Sequence, residues 1–458
     1  MFLYVFSICL IILIFVTFRN KKYPNLFITS IIFLPDFYGI EISSSFPLIT
    51  AARIMYCIFF IYVLKNKRRK INFSKEVFIT IWNEYKYLLF YFTFRIISNI
   101  YYIPTNSYAV KEIFSLIFEQ MLLLIGVFLL DLTNDEILSI IKTITYTAYA
   151  FFIMGILESI TFFRPFDYLY TVSRYMLNDH YIRLGFLRAT TTFGIPNFYG
   201  NMCILVLPLI LFLYNKYSQN RYILMVVLVF FAIIHSGCRS DIIFFIFIVL
   251  IYFIFLCRGI QRKKKFLKHL FFTFILIILI ISSLSFISPY YKYFYLGTVK
   301  SVLNEFGFSF NLNENVPAGV IGYGANSINA THSRLFQLSG ILYALKINLF
   351  FGLGAGAEQR NEIMYYSTNV WKSVPTFDMG YVQIIIKEGL IGFMGYISLF
   401  YFMIKKTFTK QQVLSTYSKN LIIILVTTYL LCMLSSANMY SILLLYIILI
   451  IRIDSISI

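Results

Sequence analysis

The sequence predicts an all-α, polytopic integral membrane protein with about 12–13 transmembrane helices and one large outer loop, periplasmic or extracellular. Three observations predict it. Hydrophobic residues make up 60% of the 458 and charged residues only 13%, about half the share of roughly 25% found in soluble chains. The apolar residues fall in runs of about 17–25, long enough to cross a bilayer. The basic residues cluster between those runs, in the pattern of membrane loops. The short alternating segments of a membrane β-barrel are missing. In lipid the backbone must satisfy its own polar groups, so the runs have to be helices. Their even spread makes residues 1–458 a single transmembrane domain.

In chain order the predicted spans are 2–18, 24–40, 47–64, 78–100, 108–130, 137–162, 196–215, 222–237, 240–257, 269–288, 380–404, 419–434 and 437–452. The first has Arg19, Lys21 and Lys22 after it and no small-residue cleavage pattern, so it reads as a retained helix rather than a cleaved signal. Further basic clusters follow the third span (Lys65–Lys70), the seventh (Lys216, Arg221), the ninth (Arg262–Lys265) and the eleventh (Lys405, Lys406). All of these are odd-numbered spans, and the positive-inside rule puts their loops in the cytoplasm. The last two spans are separated only by Ser435 and Ser436, which leaves twelve helices as an alternative to thirteen.

Two long intervals then fall outside: a first outer loop at 163–195 and a large one at 289–379. A connector of that second length is rarely only a connector. It holds one predicted helix, Arg334–Ile347, with Leu335, Leu338, Leu342 and Leu345 at helical spacing, suited to lying along a membrane surface. Gly352, Gly354 and Gly356 follow as a flexible turn. No strand precedes them, so they are not a nucleotide fingerprint.

The formal charge of +19 does not point to nucleic acid, because the basic residues are spread over the loops. The cysteines show neither pairing nor metal-ligand spacing.

Four groups of polar residues stand out on the predicted outer side. Arg183 and Arg188 precede Gly194, Pro196 and Asn197 at a helix entry. They are interface anchors or anion ligands, and positive charge there runs against the topological bias. His235, Ser236, Gly237, Cys238, Arg239 and Asp241 form a turn between two apolar helices. The alternatives are a functional arginine near the membrane and a locally satisfied Arg239–Asp241 pair. His235 suits a structural hydrogen bond. His332 and Arg334 open the loop helix, where a helix N-terminus and a guanidinium favour anions. Asp378, followed by Tyr381, opens the eleventh span as an N-cap or as a base at the membrane surface. Several arginines and one acid suit a lipid-linked pyrophosphate. No metal site is expected.

In these elements the chain resembles the O-antigen and capsule repeat-unit polymerases of the Wzy type, within the O-antigen ligase/polymerase superfamily. Arg188 to Gly200 is similar to the family's helix entry, and Ser236 to Ser240 to its arginine turn. Arg334 followed by Asn348–Gly356 resembles its glycine stretch, without the proline. Asp378–Tyr381 and Glu388–Gly392 resemble the element after the large loop. The resemblance covers about 180–395. The ligases of the superfamily carry a histidine where this chain has Asp378, which favours the polymerase branch.

The resemblance implies glycosyl transfer from an undecaprenyl-pyrophosphate-linked oligosaccharide to a lipid-linked acceptor in the bacterial inner membrane. No cofactor, nucleotide or metal takes part. The implied catalytic residues are Asp378, Arg188 and Arg239. The implied substrate-binding residues are Arg183, Arg334, His332, Asn197 and Tyr381. Membrane lipids and a chain-length regulator protein are the further partners implied. The rival readings are an O-antigen ligase, a flippase or transporter using Glu84, Arg95 or Glu158 inside the bundle, and a non-enzymatic scaffold.

Overall fold

The computed structural model describes residues 2–42, 48–69, 75–172, 181–257, 260–320, 330–367, 369–374, 377–409, 416–436 and 439–452. In order, the helices are α1 (Phe2–Arg19), α2 (Tyr23–Phe33), α3 (Ala51–Asn66), α4 (Lys75–Ile100), α5 (Ser107–Ser115), α6 (Leu122–Leu130), α7 (Asn134–Thr161) and α8 (Pro196–Tyr217). They continue with α9 (Asn220–Ser236), α10 (Arg239–Ile251), α11 (Ile260–Ile287), α12 (Pro289–Glu305), α13 (Ala330–Ile347), α14 (Gly380–Thr409), α15 (Thr416–Cys432) and α16 (Tyr440–Ile451). A π-helical stretch, Leu116–Met121, joins α5 to α6. Three antiparallel two-stranded ribbons complete the described residues: β1 (Gly39–Ile40) with β2 (Ile49–Thr50), β3 (Ile182–Arg183) with β4 (Phe186–Leu187), and β5 (Met364–Ser367) with β6 (Val370–Ser373).

The protein is an all-α polytopic membrane protein. Among the described residues, seven helices are long and apolar enough to cross a membrane, and five shorter apolar helices accompany them. Local chemistry sets the boundaries. Thr133 and Glu136 close a reciprocal capping box on α7. Pro196 opens α8 at a position where its missing N–H costs nothing. Gly237, at φ 68°, ends α9 in the left-handed conformation that glycine adopts freely.

Two expectations are corrected. The second span was expected to run to residue 40, but α2 stops at Phe33, with Leu34 extended (ψ 135°). Pro35 is the cause, since it disfavours helical backbone in the residue before it. The eleventh span was expected as one continuous helix, but α14 is interrupted at Gly389, with φ 62° and ψ −160°. The expected loop helix is present and starts earlier, at Ala330. Its Leu338 and Leu342 are exposed while Ala344 is buried, so much of the leucine stripe faces away from the bundle.

The bundle is built around α8, 89% of whose apolar window is buried, against α7, α9, α10 and α15. By contrast, the apolar windows of α1 and α11 are 0% buried and present their side chains outward. At one end of the bundle, Tyr62 donates to the carbonyl of Lys21, Arg68 forks onto Glu136, and Arg452 meets Asp131 at 2.7 Å. This end gathers the basic loops after the first and third predicted spans. At the other end, Thr171 bridges to Gly39 and the Gly380 amide donates to Met433. Of the polar groups singled out in the sequence, those at 183–197, 235–241 and 378–381 lie toward this second end.

Candidate functional site

The turn from Ser236 to Arg239 brings together three of the predicted arginines. The Ala189 amide donates to the His235 carbonyl at 2.9 Å, which lays the 183–190 segment alongside the turn. Arg183 donates through Nη1 to the Gly237 carbonyl. Arg188 donates through Nε to the Ser236 carbonyl (2.8 Å) and through Nη2 to Asn197 Oδ1 (3.0 Å) and Cys238 Sγ (3.3 Å). Nη1 of Arg188 has no partner among the described residues, and the side chain is part-exposed. Arg239 pairs through Nη1 with Glu305 of α12 at 2.6 Å, a partner the sequence did not suggest. Asp241 is buried beside Gly200, where any Cβ would collide with its carboxylate. His235 is buried and bonded to Ser159 (2.9 Å) and Tyr295 (3.3 Å), a structural arrangement. The side chains of His332 and Arg334 lie outside the described residues, so their predicted place in this cluster has no structural counterpart here.

Asp378 is exposed and makes no hydrogen bond among the described residues. It lies two positions before the start of α14 at Gly380 and does not cap that helix. Gly380 sits on Met433 and Ser436, and Ser435 donates to Asn201, one helical turn along α8 from Asn197. Tyr381, part-exposed, donates its hydroxyl to the Leu430 carbonyl at 2.9 Å.

The buried ionisable groups that the sequence set aside are paired. Glu158 accepts from the Thr190 and Thr191 amides (3.2 and 2.8 Å) and from the Thr190 hydroxyl (2.9 Å), with Arg164 at 3.4 Å. It therefore pins the chain just after Arg188. Arg95, fully buried, forks onto Glu388, reaches Glu112 at 2.9 Å and is ringed by Tyr91, Tyr396 and Tyr440. Glu388 precedes the break in α14. There, the Leu353 amide donates to Ile386, and the Leu390 and Ile391 amides donate to Leu349 and Phe350. The glycine stretch thus supplies backbone partners to an interrupted helix.

One feature escaped sequence reasoning. A cavity of about 530 Å³ opens between α2, α3, the π-helical stretch, the Arg164–Tyr170 segment, the entry to α8 and the start of α16. Its ionisable groups are Asp36, Arg53, Glu119, Arg164 and Asp167. Arg53 bonds Glu119 at 2.6 Å, and Arg164 lies 3.4 Å from Asp167. Asp36 is exposed to the cavity, with Arg53 and Glu119 as its charged neighbours. The only sequence signal was several ionisable residues near the ends of apolar runs, scattered over more than a hundred positions.

The arrangement can hold an anion beside Arg188 and a polar, ring-shaped group in the cavity, with Thr192–Phe198 as the wall between them. No family model matches this chain, and no curated protein or solved structure gives a significant match to it.

Proposed function

We propose that this chain polymerises lipid-linked oligosaccharide repeat units, of O-antigen or capsule, as a multi-pass protein of the bacterial inner membrane. In this reading about 12–13 helices cross the bilayer, the basic end faces the cytoplasm, and the 163–195 and 289–379 intervals face outward. The observation that carries it is the gathering of Arg183, Arg188 and Arg239 on one turn, with Asn197 beside them. Part of their donor capacity holds the turn and Glu305, and the planar donors of a guanidinium cluster match the oxygens of a pyrophosphate.

The chemistry is a glycosyl transfer. An acceptor hydroxyl oxygen bonds to the anomeric carbon of the donor glycan as the bond from that carbon to the pyrophosphate oxygen breaks. The lipid pyrophosphate leaves with its charge, which Arg188 and its neighbours offset. The acceptor proton passes to Asp378, whose exposed carboxylate is uncommitted among the described residues. Because both substrates are anchored in the membrane, the search for a productive encounter is confined to a plane.

A second reading, a lipid-linked oligosaccharide flippase, is favoured by one observation. Interrupted helices and buried charge pairs such as Arg95–Glu388 at the break in α14 are features of transporters. Deleting the gene separates the two. Polymerase loss leaves single repeats on the cell surface, whereas flippase loss leaves no surface glycan. Ligase loss leaves a full-length glycan that is never attached to its final acceptor.

A further inference from the structure

We propose that the 530 Å³ cavity is the glycan subsite: it takes an uncharged or amine-bearing pyranose of the lipid-linked repeat unit, while the pyrophosphate lies across the Thr192–Phe198 wall beside Arg188. The proposal rests on the polymerase reading and names where that reaction holds its sugar.

Four observations carry it. The volume falls within the roughly 300–1,000 Å³ of small-molecule sites. The charge is wrong for a phosphate, since Asp36, Glu119 and Asp167 face Arg53 and Arg164, three carboxylates against two guanidiniums. Polar groups are left over. Gln120, only 3% exposed, lines the cavity. Its side-chain oxygen accepts from Tyr91 at 3.2 Å, and its amide nitrogen has no partner among the described residues. Asp36 is exposed to the cavity and makes no hydrogen bond or ion pair among the described residues, so its carboxylate and the Gln120 amide offer a ligand an acceptor and a donor. The walls also carry Phe37, Tyr56, Phe193 and Phe198. Hydroxyls that need both donors and acceptors, on a ring with apolar faces that stack on aromatics, describe a sugar.

The backbone supports the assignment. Glu119 and Gln120 sit in the π-helical stretch Leu116–Met121, a local widening of the helix of the kind that recurs at functional sites. The wall is fixed from behind, because Glu158 holds Thr190 and Thr191 while Arg188 holds Asn197. A substrate spanning the wall would have its two chemically different parts sorted by charge.

The test is site-specific photocrosslinking in cells. Benzoylphenylalanine replaces Leu34, a part-buried residue on the cavity rim, in a strain that makes the repeat unit. The expected result is a light-dependent, carbohydrate-bearing adduct of the protein, absent in a strain lacking the sugar transferases that build the repeat. Gln120→Leu or Asp36→Ala in the same background lowers the adduct by roughly tenfold, the effect of losing one hydrogen bond to a bound ligand. A Leu34 variant that still extends the glycan but yields no carbohydrate adduct, or a lipid adduct alone, overturns the proposal. So does an adduct indifferent to both substitutions. A carbohydrate adduct in cells whose glycan length does not depend on this chain keeps the subsite and removes the polymerase reading.

Discussion

Arg95 and Glu388 stand 293 positions apart in sequence and meet as a buried fork, with Nη2 2.5 Å from Oε1 and Nε 2.9 Å from Oε2. The pair ties α4 to the break in α14, and the Ser98 hydroxyl adds a bond to the Glu388 carbonyl at 2.7 Å. Removing one partner strands the other charge, at a cost of about 3–5 kcal/mol. We predict that Arg95→Met or Glu388→Leu alone sharply lowers the amount of monodisperse protein recovered from membranes. The double variant should recover part of it, since an apolar pair of similar volume is often neutral, while Glu112 still loses the guanidinium it meets at 2.9 Å. Fluorescence-detected size exclusion of the three variants checks this. A double variant as poor as the worse single one contradicts it.

Gly389 holds a backbone conformation, φ 62° with ψ −160°, that is essentially confined to glycine. A Cβ there would also collide with the Phe350 carbonyl and the Gly352 amide. Gly389→Ala should therefore destabilise by at least about 1–3 kcal/mol. A thermal melt in detergent reads the change, and an unshifted midpoint would mean the break is not structurally required.

Asp378 offers a one-atom test. Because it does not cap α14, Asp378→Asn should leave membrane levels and thermal stability at the wild-type value. Under the polymerase reading the surface glycan should collapse to single repeats, since an amide cannot take the acceptor proton. A normal length ladder in this variant removes Asp378 as the base.

Arg188→Lys keeps the charge but loses the planar set of donors now shared among Ser236, Asn197 and Cys238. Charge-assisted hydrogen bonds are worth about 1.5–3 kcal/mol each. We expect polymerisation to fall by roughly 10- to 100-fold with protein levels retained. Full activity would assign Arg188 to holding the turn alone.

The sequence made the helices legible where period and punctuation agree. Pro196 marks the start of α8, and Gly237 marks the end of α9. It misled where punctuation competed with hydropathy. The apolar run of the second predicted span hid the effect of Pro35, and Gly389 sat inside a run that reads as continuous. The arginine turn was legible only in part: Arg239 opens α10, whereas Arg183 lies in β3 and Arg188 just after β4, on the approach to α8. Their actual partners were not legible. Glu305, the Ser236 carbonyl and Asn197 come from elements whose neighbours are set by tertiary packing. The cavity was least visible, because its walls come from six segments and no single one carries a pattern. The bond from the Tyr381 hydroxyl to the Leu430 carbonyl was equally hidden, because it joins helices 49 positions apart.

The interruption of α14 also divides that helix into two lengths. Unbroken, Gly380–Thr409 would be about 45 Å long at 1.5 Å per residue, well beyond the hydrocarbon thickness of about 30 Å. The twenty residues after the break, Leu390–Thr409, come to about 30 Å and match that thickness alone. The preceding piece need not cross lipid at all. Glu388 then lies just outside the matched piece, and its charge is met by Arg95 inside the protein rather than by acyl chains.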